Sequence, residues 1–382
     1  MTATINIALQ NQTSSGTVYA YIIGRAIDND NALFLLQSDG KTAYYPTSPS
    51  SPGSSLSQDC AIPLGDPGNT VTVTVPHLAG SRIWFSVDGN LTFLLNPGPA
   101  LVEPSVNNPS DPNINTSWDF CEFTFNSSQL FVNITYVDFV CLPIALTLTN
   151  NAGATQHVAG MGHTGLDTVC SALAAQDDSE KAGWSSLVVT KPSGGNLRAL
   201  SPNTGIVFNN DLFKGYYQPF VDQVWSAYLD KDLSIDTQAQ WGTVSGRVSS
   251  GVLTFSEVGT FAQPSSADIF SCSTGPFAAS DANTVEMGAL TARISAAFNR
   301  STLLVDTLEP SGSPNEYYQN AITNHYARIV HTANLDGLGY AFPYDDVSPT
   351  GGKDQSGAVH DPDPQLLTVA VGGGGATAST KT

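Results

Sequence analysis

At 382 residues the chain is longer than one hydrophobic core usually supports, so two domains are expected. With 41% hydrophobic and 12% charged residues it has enough apolar material for packed cores, which excludes a disordered chain except at its ends. The formal charge of −19, with 14 basic residues, excludes nucleic acid and anionic membrane surfaces as partners and leaves a neutral polymer compatible.

The first 150 residues have the pattern of strands. Thr4 to Leu9, Val18 to Ile23 and Thr70 to Pro76 alternate, and Arg82 to Val87 and Leu91 to Leu95 follow. Turn signals separate them at Asp39-Gly, Pro52-Gly, Asp66-Pro-Gly, Asp88-Gly-Asn and Asn96-Pro-Gly-Pro, and the Ser/Pro-rich piece from Pro46 to Ser57 reads as an exposed loop. Two further strands, Trp118 to Asn126 and Leu130 to Asp138, precede a strand at Leu142 to Leu148. Many short strands at such spacing indicate a sandwich or barrel over residues 1–152. The grammar changes near residue 153. His163 to Ala182 has helical spacing, with Leu166, Val169, Leu173 and Ala174 on one face, and Tyr216 to Leu229 and Asp281 to Phe298 are two more helices. With short strands such as Val252 to Phe255 between them, residues 153–334 read as a mixed α/β domain. Residues 335–371 are expected to return to the first domain, ending in the strand Gln365 to Val371, and 372–382 to form a flexible tail. No apolar run approaches the roughly 18 residues of a membrane-spanning helix. Met1-Thr-Ala-Thr-Ile-Asn has neither the basic nor the apolar region of a signal peptide.

The pair of strands around residue 128 carries the chemistry. It holds two carboxylates, Glu122 and Asp138, sixteen positions apart. Paired carboxylates on neighbouring strands are what a glycosidase needs, one to protonate the leaving oxygen and one to activate water or attack the sugar. Two acids on adjacent strands are also ordinary solvated surface groups in many sheets. A turn at Ser127 to Leu130 would pair Asn126 with Phe131, Thr124 with Asn133 and Glu122 with Thr135. Alternation then puts Trp118, Phe120, Glu122, Thr124 and Asn126 on one face with Phe131, Asn133 and Thr135, and sends Cys121, Phe123, Phe125, Leu130, Val132 and Ile134 inward. Amides, hydroxyls and an aromatic edge form a sugar-binding surface. Asp138 falls on the wrong side for this face unless a bulge after Thr135 re-aims it. Three residues of rise from the Glu122–Thr135 pair put it about 10 Å along the strand, closer to the roughly 6.5–9.5 Å of inverting glycosidases than to the retaining separation.

These residues resemble glycoside hydrolase family 64, the endo-β-1,3-glucanases that release laminaripentaose. The resemblance lies in WDFCEFTFN (118–126) and LFVNITYVDFVCLPI (130–144), with the family's acid-to-acid spacing, and extends to IVFNNDLFKGYYQPFVDQVWSAYL (206–229) and LGYAFPYDDV (338–347). It implies a mainly β, α+β architecture similar to thaumatin-like proteins: a β-barrel or sandwich domain, a mixed α/β domain and a wide cleft between them. It implies Glu122 as general acid and Asp138 as general base, with inversion, and Thr124, Asn126 and Thr135 as sugar contacts. Phe131 stands where related enzymes carry Trp. The partner implied is β-1,3-glucan of the laminarin or curdlan type, hydrolysed by a monomer without metal or organic cofactor. Within this frame Glu122 is expected to have a raised pKa, supplied by Trp118, Phe120 and the acidic surface. A rival of another class is a non-catalytic, thaumatin-like β-glucan-binding or antifungal protein.

The remaining signals are weaker. Tyr340, Tyr344, Asp345 and Asp346 are candidates for the cleft wall, or else a turn with packed tyrosines. Six glycosylation sequons begin at Asn11, Asn90, Asn115, Asn126, Asn133 and Asn299 and favour a secreted protein, with Asn126 and Asn133 expected bare because a glycan would block the groove. Five cysteines without a CxxC pair exclude a zinc site and allow one or two disulfides with at least one free thiol. His325 and His331 lack the spacing of a helical metal pair, and neither Asp28-Asn-Asp-Asn nor Asp354 sits in a calcium-loop pattern.

Overall fold

The computed structural model of the chain describes residues 3–280 and 283–373. Period-two alternation builds two large sheets. In Thr4–Asn11 the side chains of Ile5, Ile7 and Leu9 are buried while Thr4 and Asn6 face outward. This strand belongs to a five-stranded sheet in the order Thr155–Val158, Ile144–Asn150, Pro364–Val371, Thr4–Asn11, Thr70–Pro76. The strand Pro364–Val371 thus lies between two strands from the first 150 residues, parallel to the first one from Asn6↔Leu366 to Asn11↔Val371. Just beyond it, the Gly372 N–H donates to the Pro143 carbonyl (2.8 Å) and the Gly372 carbonyl accepts from His163 Nδ1 (2.6 Å). The tail expected from residue 372 lies, past Gly373, outside the described residues.

The second sheet has eight strands. Its path runs Ala358–Asp361, Leu130–Ile134, Ser117–Phe125, Leu78–Val87, Val18–Ala26, Ala32–Leu36, Ala43–Tyr44, and Ile62–Pro63 pairs off Val18–Ala26. Its inward side chains, among them Ile22, Ile83, Phe85, Cys121, Phe123, Phe125, Val132 and Ile134, share one continuous core with Ile7, Val73, Leu146 and Val369 of the first sheet. Each such buried side chain contributes roughly 1.5–3 kcal/mol. Gly24 lets the centre of this sheet close up. A Cβ there would come 2.2 Å from Ser81 Oγ, beside the register slip between Ile23 and Arg25.

The six α-helices among the described residues all fall between Gly165 and Ala333. Gly165–Glu180 replaces the expected 163–182. It buries Val169, Cys170 and Leu173 but leaves Ala174 exposed, so Cys170 holds the place foreseen for Ala174. Gln218–Ala227 buries Phe220, Val224 and Trp225, with Tyr228 buried just past its end. Val285–Arg300 starts later than the expected Asp281; residues 281 and 282 lie outside the described residues. The helix His325–Ala333, capped by the Asn324 side chain accepting from the Ala327 N–H (3.0 Å), was not foreseen. Two further sheets, of five and three strands, draw most of their strands from the same stretch of chain. One of them pairs Phe139–Val140 with Asn196–Leu200 and begins directly after Asp138.

Candidate active site

The hairpin closes one position earlier than the sequence suggested. Phe125 pairs with Leu130, Thr124 with Phe131 and Glu122 with Asn133. Asn126 makes the turn itself: its N–H donates to the Gln129 carbonyl (3.0 Å), and its Oδ1 accepts from the N–H groups of Ser128 (2.8 Å) and Gln129 (3.0 Å). Such side-chain capture of nearby amides is the reason Asn favours turns. The pairing differs from the expected one by two residues, and a slip of two leaves every side chain on its own face. On the other side of Ser117–Phe125, Glu122 pairs with Arg82. Arg82, Glu122 and Asn133 therefore stand side by side across three strands, about 4.8 Å apart from strand to strand. A second row is Thr124, Phe131 and His360, with the Phe131 and His360 rings stacked 6.2 Å apart.

Asp138 reaches the same groove by a route other than a bulge. The strand ends at Ile134, Thr135 makes a single parallel bridge to Tyr340, and the chain bends at Val137 and Asp138 before joining another sheet. The Tyr136 N–H donates to the Tyr340 carbonyl (2.7 Å), the Tyr326 hydroxyl to the Tyr136 carbonyl (2.7 Å) and the Ser201 N–H to the Asp138 carbonyl (2.9 Å). Leaving the sheet frees Asp138 from strand parity.

Glu122 and Asp138 line one cavity of about 610 Å³, with Arg82, Phe131, Asn133, Thr135, Tyr340 and Asp346 among its walls. A second hollow of about 340 Å³ adds Thr124 and shares Arg82, Glu122, Phe131 and Asn133, so the two form one open groove. Another cavity of about 620 Å³, bounded by Gln12, His163, Asp167 and Lys191, contains neither of the two acids. Size does not separate these sites, but the paired carboxylates do.

Charge in the groove is one-sided. Among the described residues Arg82 is the only cation in the wall of the main cavity, against Glu122, Asp138, Asp346 and Asp354. Its Nε donates to Glu122 Oε1 (3.3 Å), its Nη1 donates to Glu103, and its guanidinium lies 4.6 Å from the centre of the Phe120 ring. Burial raises the Asp138 pKa above the usual carboxylate range. The Glu122 charge adds to this and Arg82 opposes it. Burial also raises Glu103, against the pull of Arg82. Tyr340 donates from its hydroxyl to Asp346 (2.9 Å), and burial followed by that carboxylate holds its proton on.

Four expected contacts lie elsewhere. Trp118 is 1% exposed: its indole N–H donates to the Asn113 carbonyl (3.1 Å), and its ring packs on Trp84 and Phe139. It has the parity of the groove face, but the end of its strand is covered. Asp345 is fully buried, bridged to Arg300 (3.0 Å) and His331 (2.9 Å), and anchors the loop that presents Tyr340 and Asp346. Its neighbour Asp346 is the one in the wall. Asn126 is occupied by the turn. Tyr344 packs against the core rather than lining the main cavity. Two sequons are closed to glycosylation, because the Asn11 and Asn299 side chains are fully buried and their amides donate to backbone carbonyls. Arg82 was missed because its strand gave only an alternation signal, and Asp346 was named no more firmly than the residues beside it.

A family described as Beta-1,3-glucanase, glycoside hydrolase family 64, matches residues 3–371. A crystal structure of a laminaripentaose-producing beta-1,3-glucanase in complex with laminaritetraose superposes with a TM-score of 0.86 at 30% identity, over 97% of this chain and 99% of that one. A beta-1,3-glucanase domain from Clostridium beijerinckii shares the fold at 20% identity, with a TM-score of 0.74 over 97% and 98% of the two chains. Glucan endo-1,3-beta-glucosidases of Arthrobacter sp. (strain YCWD3) and Cellulosimicrobium cellulans are each 29% identical over 374 residues, 96% of this chain. The chain spans 65% of the length of those two relatives.

Proposed function

The chain belongs to the beta-1,3-glucanase family, glycoside hydrolase family 64, and from that premise we propose that it cleaves internal linkages of β-1,3-glucan with inversion, releasing short laminari-oligosaccharides such as laminaripentaose. One observation carries the reading: Glu122 and Asp138, from different segments, share the wall of one open groove. Glu122 is the general acid that protonates the glycosidic oxygen. Asp138 is the general base that takes a proton from the water attacking the anomeric carbon on the opposite face. An acidic, open groove suits a long neutral chain and repels anionic polymers. Thr124, Asn133 and Thr135 supply hydrogen-bonding groups for sugar hydroxyls, and Phe131, 37% exposed, offers a ring to a pyranose face. Two large sheets sharing one core, with helices and small sheets beyond, support a thaumatin-like architecture. A monomeric working form is part of the same proposal. Secretion belongs to the same reading and rests on the sequons that remain open.

The test is incubation with curdlan and laminarin, with chromatography of the products and proton NMR of the first anomer formed. The expected result is soluble laminari-oligosaccharides released as the α-anomer. Glu122→Gln and Asp138→Asn should each lower kcat about 10²–10⁴-fold while laminari-oligosaccharides still bind. Binding of β-1,3-glucan with no soluble product from the unaltered chain would leave the non-catalytic binder as the reading.

A further inference from the structure

Glu122 and Asp138 sit on different pieces of chain, and a reaction between them needs those pieces held at a fixed separation. Glu122 is on the strand Ser117–Phe125; Asp138 is on the bend that leaves the sheet. Three positions before Glu122, on the opposite face of the strand, lies Asp119, which is 2% exposed. One of its oxygens accepts from the Phe120 N–H (2.9 Å). The other accepts from the N–H groups of Cys141 (2.9 Å) and Leu142 (3.0 Å), which begin three positions after Asp138. The carboxylate therefore ties together the two segments at points three residues, about 10 Å of extended chain, from each acid.

We propose that Asp119 is a positioning residue that sets the separation of Glu122 and Asp138, acting from behind the sheet without touching substrate.

The surroundings are built for the tie. The Trp118 ring, next to Asp119, meets the Phe139 ring, next to Asp138, edge to face at 4.8 Å. The Arg198 guanidinium lies 5.5 Å from the first ring and 5.8 Å from the second, and donates to the Thr116 carbonyl (2.9 Å). Burial pushes the Asp119 pKa up to about 7, while the three N–H donors and Arg198 favour its charge. A buried carboxylate is a costly way to join two strands, and the best-attested reason to keep a buried charge is to fix one register over others. Two backbone amides on one oxygen give a bracket that an apolar side chain cannot. Misplacing a reacting group by about 1 Å is enough to cost roughly 10²-fold in rate.

This inference rests on the glucanase reading, and its test is arranged to separate the two. Asp119→Asn keeps the volume but sets an NH2 group against backbone N–H donors; Asp119→Ser keeps a single acceptor. Both are assayed on laminarin beside the unaltered chain, with circular dichroism and melting curves to establish folding and calorimetry to measure laminari-oligosaccharide binding. The expected result is a folded variant whose kcat falls ten-fold or more, while KM and oligosaccharide Kd stay within two-fold. An inactive unaltered chain overturns the glucanase reading and this role with it. An active unaltered chain whose variants keep kcat within two-fold overturns this role alone. So does failure of both variants to fold, or a joint change in kcat and Kd, because the tie would then serve the fold and not the reaction.

Discussion

Among the described residues Arg82 brings the only positive charge into a groove wall whose other charged groups are carboxylates. It stands against Glu122 through a register pairing, so its importance cannot be read from positions forty residues apart in sequence. It also acts on Asp138, where burial raises the pKa, Glu122 raises it further and Arg82 lowers it. In its proposed role as general base Asp138 works only when ionised, so activity should be lost as pH falls through that raised value. Removing Arg82 deletes the lowering influence on Asp138. Arg82→Met should therefore move the acid limb of the kcat/KM profile to higher pH. An acid limb that stays in place or moves to lower pH would show that Arg82 exerts no such control. Glu122 and Asp138 were expected from sequence to face one groove, as acids framed by Trp, Thr, Asn and Phe on a strand pair, and both line the same cavity. Trp118 and Asp345 misled for a single reason: parity and composition give a side chain's direction but not what covers it.

The hairpin Ser117–Ile134 shows what an element can and cannot encode. Period-two alternation assigned the inward residues Cys121, Phe123, Phe125, Val132 and Ile134, all of them buried. The register was set by Asn126 capturing the amides of Ser128 and Gln129, and a turn placed one residue later gives the wrong partners with the right faces. The partner of Thr135 comes from far along the chain. Tyr340 bridges it, and Gly339 lets the segment approach so closely that a Cβ there would lie 2.6 Å from Tyr136 Cε2. Gly339→Ala should destabilise the fold by about 1–3 kcal/mol, as overpacking does. It should also move Tyr340 and Asp346 in the groove, lowering kcat/KM on laminarin by up to roughly 10²-fold. Melting curves and steady-state kinetics check both parts. Unchanged stability would mean that Tyr136 has room to yield.

Across the whole molecule the fold rests on burial, not on covalent links. All five cysteines are free and buried. Burial pushes the Cys60 and Cys170 thiols up to about 12, which leaves little thiolate for exchange. The melting temperature should therefore be the same with and without dithiothreitol, and thiol reagents should count five groups only after unfolding. A fall of several degrees in reductant would reveal a disulfide, whose loss typically costs 2–5 kcal/mol. The sequence by itself determined the strand-rich character and the main helices and singled out the two acids as candidates, because these depend on periodicity and residue chemistry within short windows. Only the tertiary structure decided that Arg82 stands beside Glu122, that Asp138 turns into the groove by leaving its sheet, and that Asp346 rather than Asp345 faces the cavity. Those facts depend on which distant segments pack together, and burial energy is indifferent to distance along the chain.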